Sequence, residues 1–509
     1  MILIIDFGSQ TTHLISRRLK QLGIKNIISH SKNVLEIIKK EKIKGIILSG
    51  GPASVYEKNS PTIDKKIFNL NIPILGICYG LQLISQLLEG KVIAGNREYG
   101  PEKILIIKKS LLFDGLAEKF IVWMSHGDEV VSLPNNFQTI ASTKKVKNAA
   151  IENKSKKIFG IQFHPEIYHT QYGQEILKNF CQKICGLKIK ENFIEIKSIL
   201  EKIKTQYEEK KGKIIAAVSG GVDSTVASAL IVKTIGEKNF FPIYIDNGLM
   251  RYDTKEKVKY IFKHILKTNL KIINAEKIFL KKLKGVINPE KKRKIIGNLY
   301  IKLFEKEAKK IKGVSFLMQG TIYSDIVESG QSLGKSQVIK SHHNVGGLPK
   351  KMKLTLLEPL KEFYKDEVRQ IGRILGLPNE IINTQPFPGP GYAIRIIGEV
   401  NKKRLEKIKK IDQILNQILK DEKLSDKVFQ SFPILTGIKS TAVKGDNRVY
   451  GEVVSLLIYE SQDIMSASWA KVPYQVLDKI AQEITKNTSD VSRVVYDITT
   501  KPPATMEWE

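Results

Sequence analysis

One stretch constrains the fold of this chain more than any other. Ile214-Ile215-Ala216-Ala217-Val218 is an unbroken apolar run, and Ser219-Gly220-Gly221-Val222-Asp223-Ser224-Thr225 follows it directly. The run predicts a buried strand, and the apolar pattern over 226–235 predicts a helix behind the loop. Two glycines let backbone N–H groups close around an anion. The hydroxyls add donors, and the helix dipole faces the same point. The loop is therefore built to hold phosphate. It lacks the Gly-Lys-Ser/Thr signature of a Walker loop, so the cradle is of another kind.

The same alternation of short apolar runs and helical stretches extends over most of the chain. With 509 residues, two to four domains are expected. Over 1–187, strands are predicted at 2–6, 45–48, 72–77 and 158–163. A charged, helically patterned connector spans 188–212. A second α/β series begins at Lys213, with strands at 214–218, 242–246, 271–274 and 314–318. The turn-rich Pro386-Phe387-Pro388-Gly389-Pro390-Gly391 stops any helix after residue 385. The remainder, 386–509, mixes strands and helices. The expected architecture is two α/β domains with mainly parallel sheets and a C-terminal α+β domain.

Composition removes several function classes. The chain carries 83 Lys and Arg against 52 Asp and Glu, a formal charge of +31, but the lysines are spread over nearly its whole length. That is a drift in composition and not the clustered stripe that nucleic-acid binding requires, so no nucleic-acid partner is expected. No apolar run reaches the ~18–20 residues of a membrane span, and Met1-Ile2-Leu3-Ile4-Ile5-Asp6 looks like a first strand and not a signal peptide. A cytoplasmic protein without a membrane partner is expected. Three cysteines, Cys78, Cys181 and Cys185, make no disulfide framework. Cys181 and Cys185 lie one helical turn apart with no His or Cys to complete a metal site, and are expected to pack a helix.

Cys78 stands apart. In Gly76-Ile77-Cys78-Tyr79-Gly80-Leu81-Gln82 an apolar strand gives way to apolar residues at helical spacing, Leu81, Ile84, Leu87 and Leu88. The thiol thus sits on a sharp strand-to-helix turn flanked by glycines, with a helix N-terminus behind it that favours thiolate. Far downstream, Gln162-Phe163-His164-Pro165-Glu166 ends another strand, offering His164 as base and Glu166 to orient it. Ser49-Gly50-Gly51-Pro52 follows a third strand. Backbone N–H groups of Gly51 and Tyr79 are candidates for an oxyanion hole.

These three separated motifs resemble, in order, the class I (triad) glutamine amidotransferase family over residues 1–187. The resemblance implies that Cys78 attacks a glutamine amide, and that Gln82, Ser125 and His126 line the glutamine side. The Ser219–Thr225 run resembles the pyrophosphate loop of N-type ATP pyrophosphatases, which adenylate an oxygen and release pyrophosphate. ATP is then a co-substrate and Mg²⁺ its companion, with Asp223 a candidate ligand. The end of the next strand, Asp246-Asn247-Gly248, is where adenine or ribose would sit in an open parallel sheet.

Further segments resemble the GMP synthetase family over essentially the whole chain: 289–297, 319–325, 340–349, 386–391 and the ending Lys501-Pro502-Pro503-Ala504-Thr505-Met506-Glu507-Trp508-Glu509. That resemblance implies XMP as acceptor and contacts to it from Arg293, Lys501, Met506 and Glu507, with Pro388 and Gly389 nearby. It implies a lid over 339–349 carrying Lys340, and a homodimer formed through the C-terminal domain. Composition alone would make 501–509 a frayed tail. The family pattern has arginine where this chain has Leu457, which puts a phosphate or interface contact there in doubt. Glutamine-dependent NAD synthesis is disfavoured by the class I triad and the Lys-Pro-Pro-Ala-Thr ending. An RNA-modifying pyrophosphatase is disfavoured by the absence of a basic stripe and of extra cysteines. A non-catalytic regulator is disfavoured by the intact triad and phosphate loop.

Overall fold

The computed structural model describes residues 1–9, 11–189, 194–328, 354–461, 467–501 and 503–509. They form two units, Met1–Phe193 and Ile194–Glu509. The first is built on nine strands: β1 (Ile2–Asp6), β2 (Asn26–His30), β3 (Gly45–Leu48), β4 (Ile74–Ile77), β5 (Lys91–Ile106), β6 (Lys119–Ser132), β7 (Gln138–Ser142), β8 (Ala150–Asn153) and β9 (Ile158–Ile161). Their order in the sheet is β2-β1-β3-β4-β9-β8-β7-β5-β6. The run from β2 to β9 is parallel, and the β9–β8, β8–β7, β7–β5 and β5–β6 pairings are antiparallel. The first unit is therefore a mixed sheet with a parallel half.

Alternate residues of β1 enter different cores. Ile2 and Ile4 pack with Leu75 and Ile77 of β4, whereas Leu3 and Ile5 pack with Ile46, Leu48 and Ile74. A strand buried on both faces must be apolar at every position, which is why the unbroken run at the start of the chain reads as it does. The parallel half presents its carboxyl ends together: Asp6, Leu48, Ile77 and Ile161 are the last residues of β1, β3, β4 and β9.

The second unit begins earlier than the expected connector allows. Helix Ile196–Glu208 buries Ile199 and Ile203 in the core that also holds Ile214, Val226 and Phe316. Its charged face lies outward, so composition alone makes it look like a detached linker. A five-stranded parallel sheet follows: β10 (Lys213–Ala217), β11 (Phe240–Asp246), β12 (Lys271–Asn274), β13 (Val314–Met318) and β14 (Thr355–Leu357), in the order β12-β11-β10-β13-β14. The third sheet holds β15 (Gln430–Lys444), β16 (Asn447–Glu460) and β17 (Ser468–Trp469) in antiparallel array, with β18 (Val491–Tyr496) parallel to β16. One core joins Ile215 and Ile243 of the parallel sheet to Tyr392, Leu405, Val454 and Ile480 beyond residue 385. Across the same junction Arg251 bonds both carboxylate oxygens of Asp412, at 2.7 and 3.2 Å, and the Ser431 carbonyl at 3.0 Å. The loop after β11 is thereby fastened to the helix Lys402–Asp421.

The turn from β4 into helix Tyr79–Leu87 shows why glycine is required. A Cβ on Gly80 would lie 2.4 Å from the Leu48 carbonyl oxygen, because the helix begins where it crosses β3. Alanine ordinarily favours a helix over glycine by ~1 kcal/mol. Gly80→Ala is nonetheless expected to destabilise its unit by about 1–3 kcal/mol, the cost of overpacking against backbone. A lowered melting temperature checks this, and an unchanged or raised one refutes it.

Candidate functional site

In the first unit, Cys78 occupies the turn between β4 and helix Tyr79–Leu87, with φ 53° and ψ −106°. A non-glycine residue in this region is strained by ~1–3 kcal/mol and persists only when its surroundings hold it. They do: the Cys78 N–H donates to the Ile161 carbonyl at 2.8 Å, and the Gln82 N–H to the Cys78 carbonyl at 3.2 Å. The sulfur lies 3.7 Å from the Ser125 carbonyl oxygen and 3.6 Å from Gln162 Nε2.

His164 follows the carboxyl end of β9, the neighbour of β4. Its N–H donates to the Trp123 carbonyl at 3.0 Å, and its carbonyl accepts from Thr170 Oγ1 at 2.6 Å. Nδ1 meets Glu166 Oε1 at 2.7 Å. A Cβ built on Gly50 would stand 3.1 Å from His164 Cε1 and 3.8 Å from Cys78 Cβ, so thiol and imidazole face the same gap beside the loop after β3. Burial works against a charged imidazole here, but the Glu166 carboxylate and the Cys78 sulfur outweigh it and hold the His164 pKa well above its ordinary value.

Gly51 and Tyr79 are also neighbours: a Cβ on Gly51 would come within 3.4 Å of Tyr79 Cγ. Tyr79 opens its helix, where backbone N–H groups lack intrahelical partners. Gln82 is buried and donates to the Asp128 carbonyl at 3.0 Å and to Gln162 Oε1 at 3.4 Å. Ser125 is exposed, and its carbonyl faces the sulfur. His126 turns inward, with Nδ1 3.1 Å from the Asp128 carbonyl and Nε2 3.3 Å from Glu98 Oε2. Cys181 and Cys185 have no part in this cluster. Burial pushes the Cys181 thiol up to about 12 and raises that of Cys185 as well.

In the second unit the phosphate loop follows β10, the central strand. Chain order runs outward from it on both sides, so the loop lies at the topological switch point. The helix begins at Val222, four residues before the expected start, with Gly221 as its N-cap. Val222, Asp223, Ser224 and Thr225 are therefore its first turn: the Gly221 carbonyl accepts from the Thr225 N–H at 3.1 Å and from the Ser224 and Thr225 hydroxyls at 3.1 and 2.9 Å, while the N–H groups of Val222, Asp223 and Ser224 have no partner within the helix. Ser219 Oγ accepts from the Gly221 N–H at 3.2 Å, and Gly220 has φ 76°, which only glycine adopts without strain.

Sequence reasoning missed Lys365. It opens the helix Lys365–Ile374, and its Nζ lies 2.5 Å from Asp223 Oδ2. Asp223 Oδ1 is buried without a partner among the described residues. Nothing local in Tyr364-Lys365-Asp366-Glu367 distinguishes this lysine from the many others. At the end of β11, Asp246 pairs with Lys255 at 3.1 Å and accepts from the Gly248 N–H at 3.2 Å.

The tail folds back, as the family resemblance implies. Ala467 and Lys501 pair backbone to backbone at 3.1 and 2.8 Å. Met506 is buried beside Phe432, Leu457 and Tyr459, and its carbonyl accepts from Tyr459 Oη at 3.0 Å. Glu507 accepts two bonds from the fully buried Arg395, at 3.0 and 2.8 Å. The Arg395 guanidinium lies between the rings of Phe432 and Phe387, 3.5 and 4.6 Å from their centroids. Phe387 precedes Pro388 and the exposed Gly389. Arg293 bonds Glu290 at 2.8 Å and the Glu509 carbonyl, while Lys292, fully buried, bonds Glu509 Oε2 at 3.0 Å. Burial pulls the Lys292 ammonium below its ordinary pKa against the opposing pull of Glu509. Arg395 and Lys292 gave no sequence signal, since their partners lie more than 100 residues away. Leu457 lines a cavity with Tyr459, Ala467, Trp469, Lys501 and Met506. Lys340 and the expected lid at 339–349 lie outside the described residues.

Because the raised His164 pKa depends on the neighbouring carboxylate, Glu166→Gln is expected to lower the imidazole titration midpoint toward ~6.5. The sign for stability follows. A raised folded-state pKa contributes stability that is full below ~6.5 and fades as pH climbs through the raised value, and the substitution removes that contribution. Titration of the ring protons by NMR measures the midpoint, and denaturant unfolding across the pH range measures the stability; a midpoint unmoved by Glu166→Gln contradicts the assignment.

Three family models match the chain. The class-I glutamine amidotransferase model covers residues 3–184, the NAD synthase model 192–302 and the GMP synthase C terminal domain model 417–508. A glutamine-hydrolyzing GMP synthase from Aquifex aeolicus is 50% identical over 511 residues, covering 100% of this chain and 99% of its own. Its counterpart from Nitratiruptor sp. is 49% identical over 514 residues, with 100% and 99% covered. A solved structure described as a GMP synthase subunit from Thermoplasma acidophilum is 34% identical, covers 36% of this chain and 93% of its own, and aligns with a TM-score of 0.34.

Proposed function

The chain belongs to the glutamine-hydrolysing GMP synthases, and from that premise we propose how its residues divide the work. The enzyme is a ligase that uses ATP and takes nitrogen from glutamine. The observation that carries the division is that a complete thiol–imidazole–carboxylate set lies in one unit and a phosphate cradle in the other.

In the first unit Cys78 Sγ attacks the amide carbon of glutamine. The oxygen that becomes negative is met by N–H groups of Gly51 and Tyr79. Charged His164 gives its proton to the departing ammonia, leaving a thioester. Water then attacks, His164 takes the water's proton, and glutamate leaves. Glu166 keeps the ring turned with Nε2 free. Gln82, Ser125 and His126 shape the glutamine side.

In the second unit the Ser219–Thr225 segment holds the phosphates of ATP. The XMP C2 oxygen attacks the α-phosphorus and pyrophosphate departs. Ammonia then displaces AMP from C2, giving GMP. Arg293, Lys501, Met506 and Glu507, with Pro388 and Gly389, hold XMP, and Lys340 closes over it. Asp223 suits Mg²⁺, since its buried Oδ1 lacks a partner among the described residues and one carboxylate with phosphates is this ion's usual donor set. Bound there, the ion neutralises charge building on the phosphates. The NAD synthase match spans only part of the ATP-binding half, and the full-length relatives support XMP as the acceptor.

A homodimer is supported by apolar side chains left exposed in and beside the third sheet, Ile438, Val443, Tyr450, Val495 and Ile498. Among the described residues no helix is long and apolar enough to cross a membrane. The substrates suit a cytoplasmic enzyme.

Incubation with XMP, ATP-Mg²⁺ and glutamine is expected to yield GMP, AMP and pyrophosphate; release of ADP in place of AMP would overturn the adenylation reading. Cys78→Ala is expected to abolish glutamine-driven synthesis and retain synthesis from added ammonia. Loss of both in a folded variant contradicts the division of labour. Chelation of Mg²⁺ is expected to stop synthesis and its return to restore it, and synthesis that persists in excess chelator refutes the metal requirement.

A further inference from the structure

We propose that Thr11 is a positioning residue of the glutaminase, extending the Cys78–His164–Glu166 set by one hydroxyl and fixing the orientation of the Glu166 carboxylate. The inference rests on the reading of Cys78 as nucleophile. Thr11 Oγ1 lies 2.6 Å from Glu166 Oε1, the same oxygen that meets His164 Nδ1 at 2.7 Å. Glu166 is 1% exposed, and its Oε2 has no partner among the described residues. The side chain of this carboxylate is thus held through one oxygen, by one imidazole and one hydroxyl.

An ionised carboxylate only accepts, so Thr11 must donate to it. Ser9 Oγ, 2.9 Å from Thr11 Oγ1, then supplies the donor to Thr11, while accepting from the Thr11 N–H at 3.2 Å. The hydroxyls form a chain whose protons all point toward Glu166. Charge-assisted bonds of this length are the strong ones, and each removes freedom from the acceptor.

A second observation separates this role from ordinary packing. Thr11 is the N-cap residue of the helix Thr12–Gln21, where threonine usually bonds its own helix, yet it makes no side-chain cap bond. A forgone cap costs ~1 kcal/mol. Tethering of the two segments does not need it, because Arg18 Nε already donates to the Glu166 carbonyl at 3.2 Å. What the Arg18 bond leaves undetermined is the rotation of the carboxylate, and that is what Thr11 adds. His164 depends on that rotation for its tautomer and aim.

The test is steady-state glutamine hydrolysis, with XMP and ATP-Mg²⁺ present, by the full chain and its Thr11→Val, Thr11→Ala, Thr11→Ser and Cys78→Ala variants. Ammonia-driven GMP synthesis reports the integrity of each preparation. Thr11→Val is expected to lower kcat about tenfold with KM for glutamine unchanged, the order that follows from losing one hydrogen bond to a charged group. Thr11→Ser, which keeps the hydroxyl, is expected to restore kcat to within about twofold of the parent, and Thr11→Ala, which adds no bulk, to behave as Thr11→Val. The proposal is overturned if Thr11→Val keeps parental kcat, if only KM moves, or if Thr11→Ser is as slow as Thr11→Val. Hydrolysis surviving in Cys78→Ala would instead overturn the nucleophile assignment, and the Thr11 inference with it.

Discussion

Both candidate sites depend on one constraint: a buried parallel strand must become a helix within a few residues at its carboxyl end. At β4 that turn is so tight that Cys78 takes a positive φ and Gly80 must pass against the Leu48 carbonyl. At β10 the turn is looser, and Gly220 supplies the positive φ while Gly221 caps the helix. In each case a helix N-terminus, with its unpaired N–H groups and positive dipole end, faces the spot where negative charge gathers. In the proposed function, one spot takes an oxyanion and the other takes phosphate. In each unit the parallel strands bring such a turn to the carboxyl edge of the sheet.

Electrostatics then distinguishes the two centres. Around His164 the buried Glu166 carboxylate and the Cys78 sulfur outweigh desolvation and raise the imidazole pKa above its ordinary value. Around the phosphate loop the charge is balanced differently: Lys365 takes one oxygen of Asp223, and the other is buried without a partner among the described residues. At the tail, Lys292, Arg293 and Arg395 hold Glu507 and Glu509. Breaking a buried pair of this kind leaves an uncompensated charge and costs ~3–5 kcal/mol. The tail is held by these cations together with the buried Met506 and the backbone pairing of Lys501 with Ala467.

The sequence is most legible where local chemistry is self-sufficient. The strand–glycine–helix pattern at 214–235 and the elbow at Cys78 each need only a short run of residues to be recognised, because their geometry comes from backbone and glycine alone. The connector is less legible. Helix Ile196–Glu208 shows its charged face in composition, but the burial of Ile199 and Ile203 is set by a sheet that begins later in the chain. The phosphate-loop helix starts four residues ahead of its apolar pattern because Val222–Thr225 is polar enough to look like loop, although the Thr225 N–H already bonds the Gly221 carbonyl at 3.1 Å and the Ser224 and Thr225 hydroxyls add to it.

By itself, then, the sequence determined the α/β class and the two strand-to-helix turns, and it pointed to Cys78, His164, Glu166 and the Ser219–Thr225 loop as candidate site residues. Each is written in contiguous residues whose spacing follows the strand and helix periods. Tertiary structure alone decided which distant groups complete them: Thr11 on Glu166, Lys365 on Asp223, Arg395 on Glu507 and Arg251 on Asp412. These pairs are separated by 112 to 161 positions. Polar partners so far apart leave no periodic trace, because what joins them is the packing of sheets and helices that carries each residue to its place.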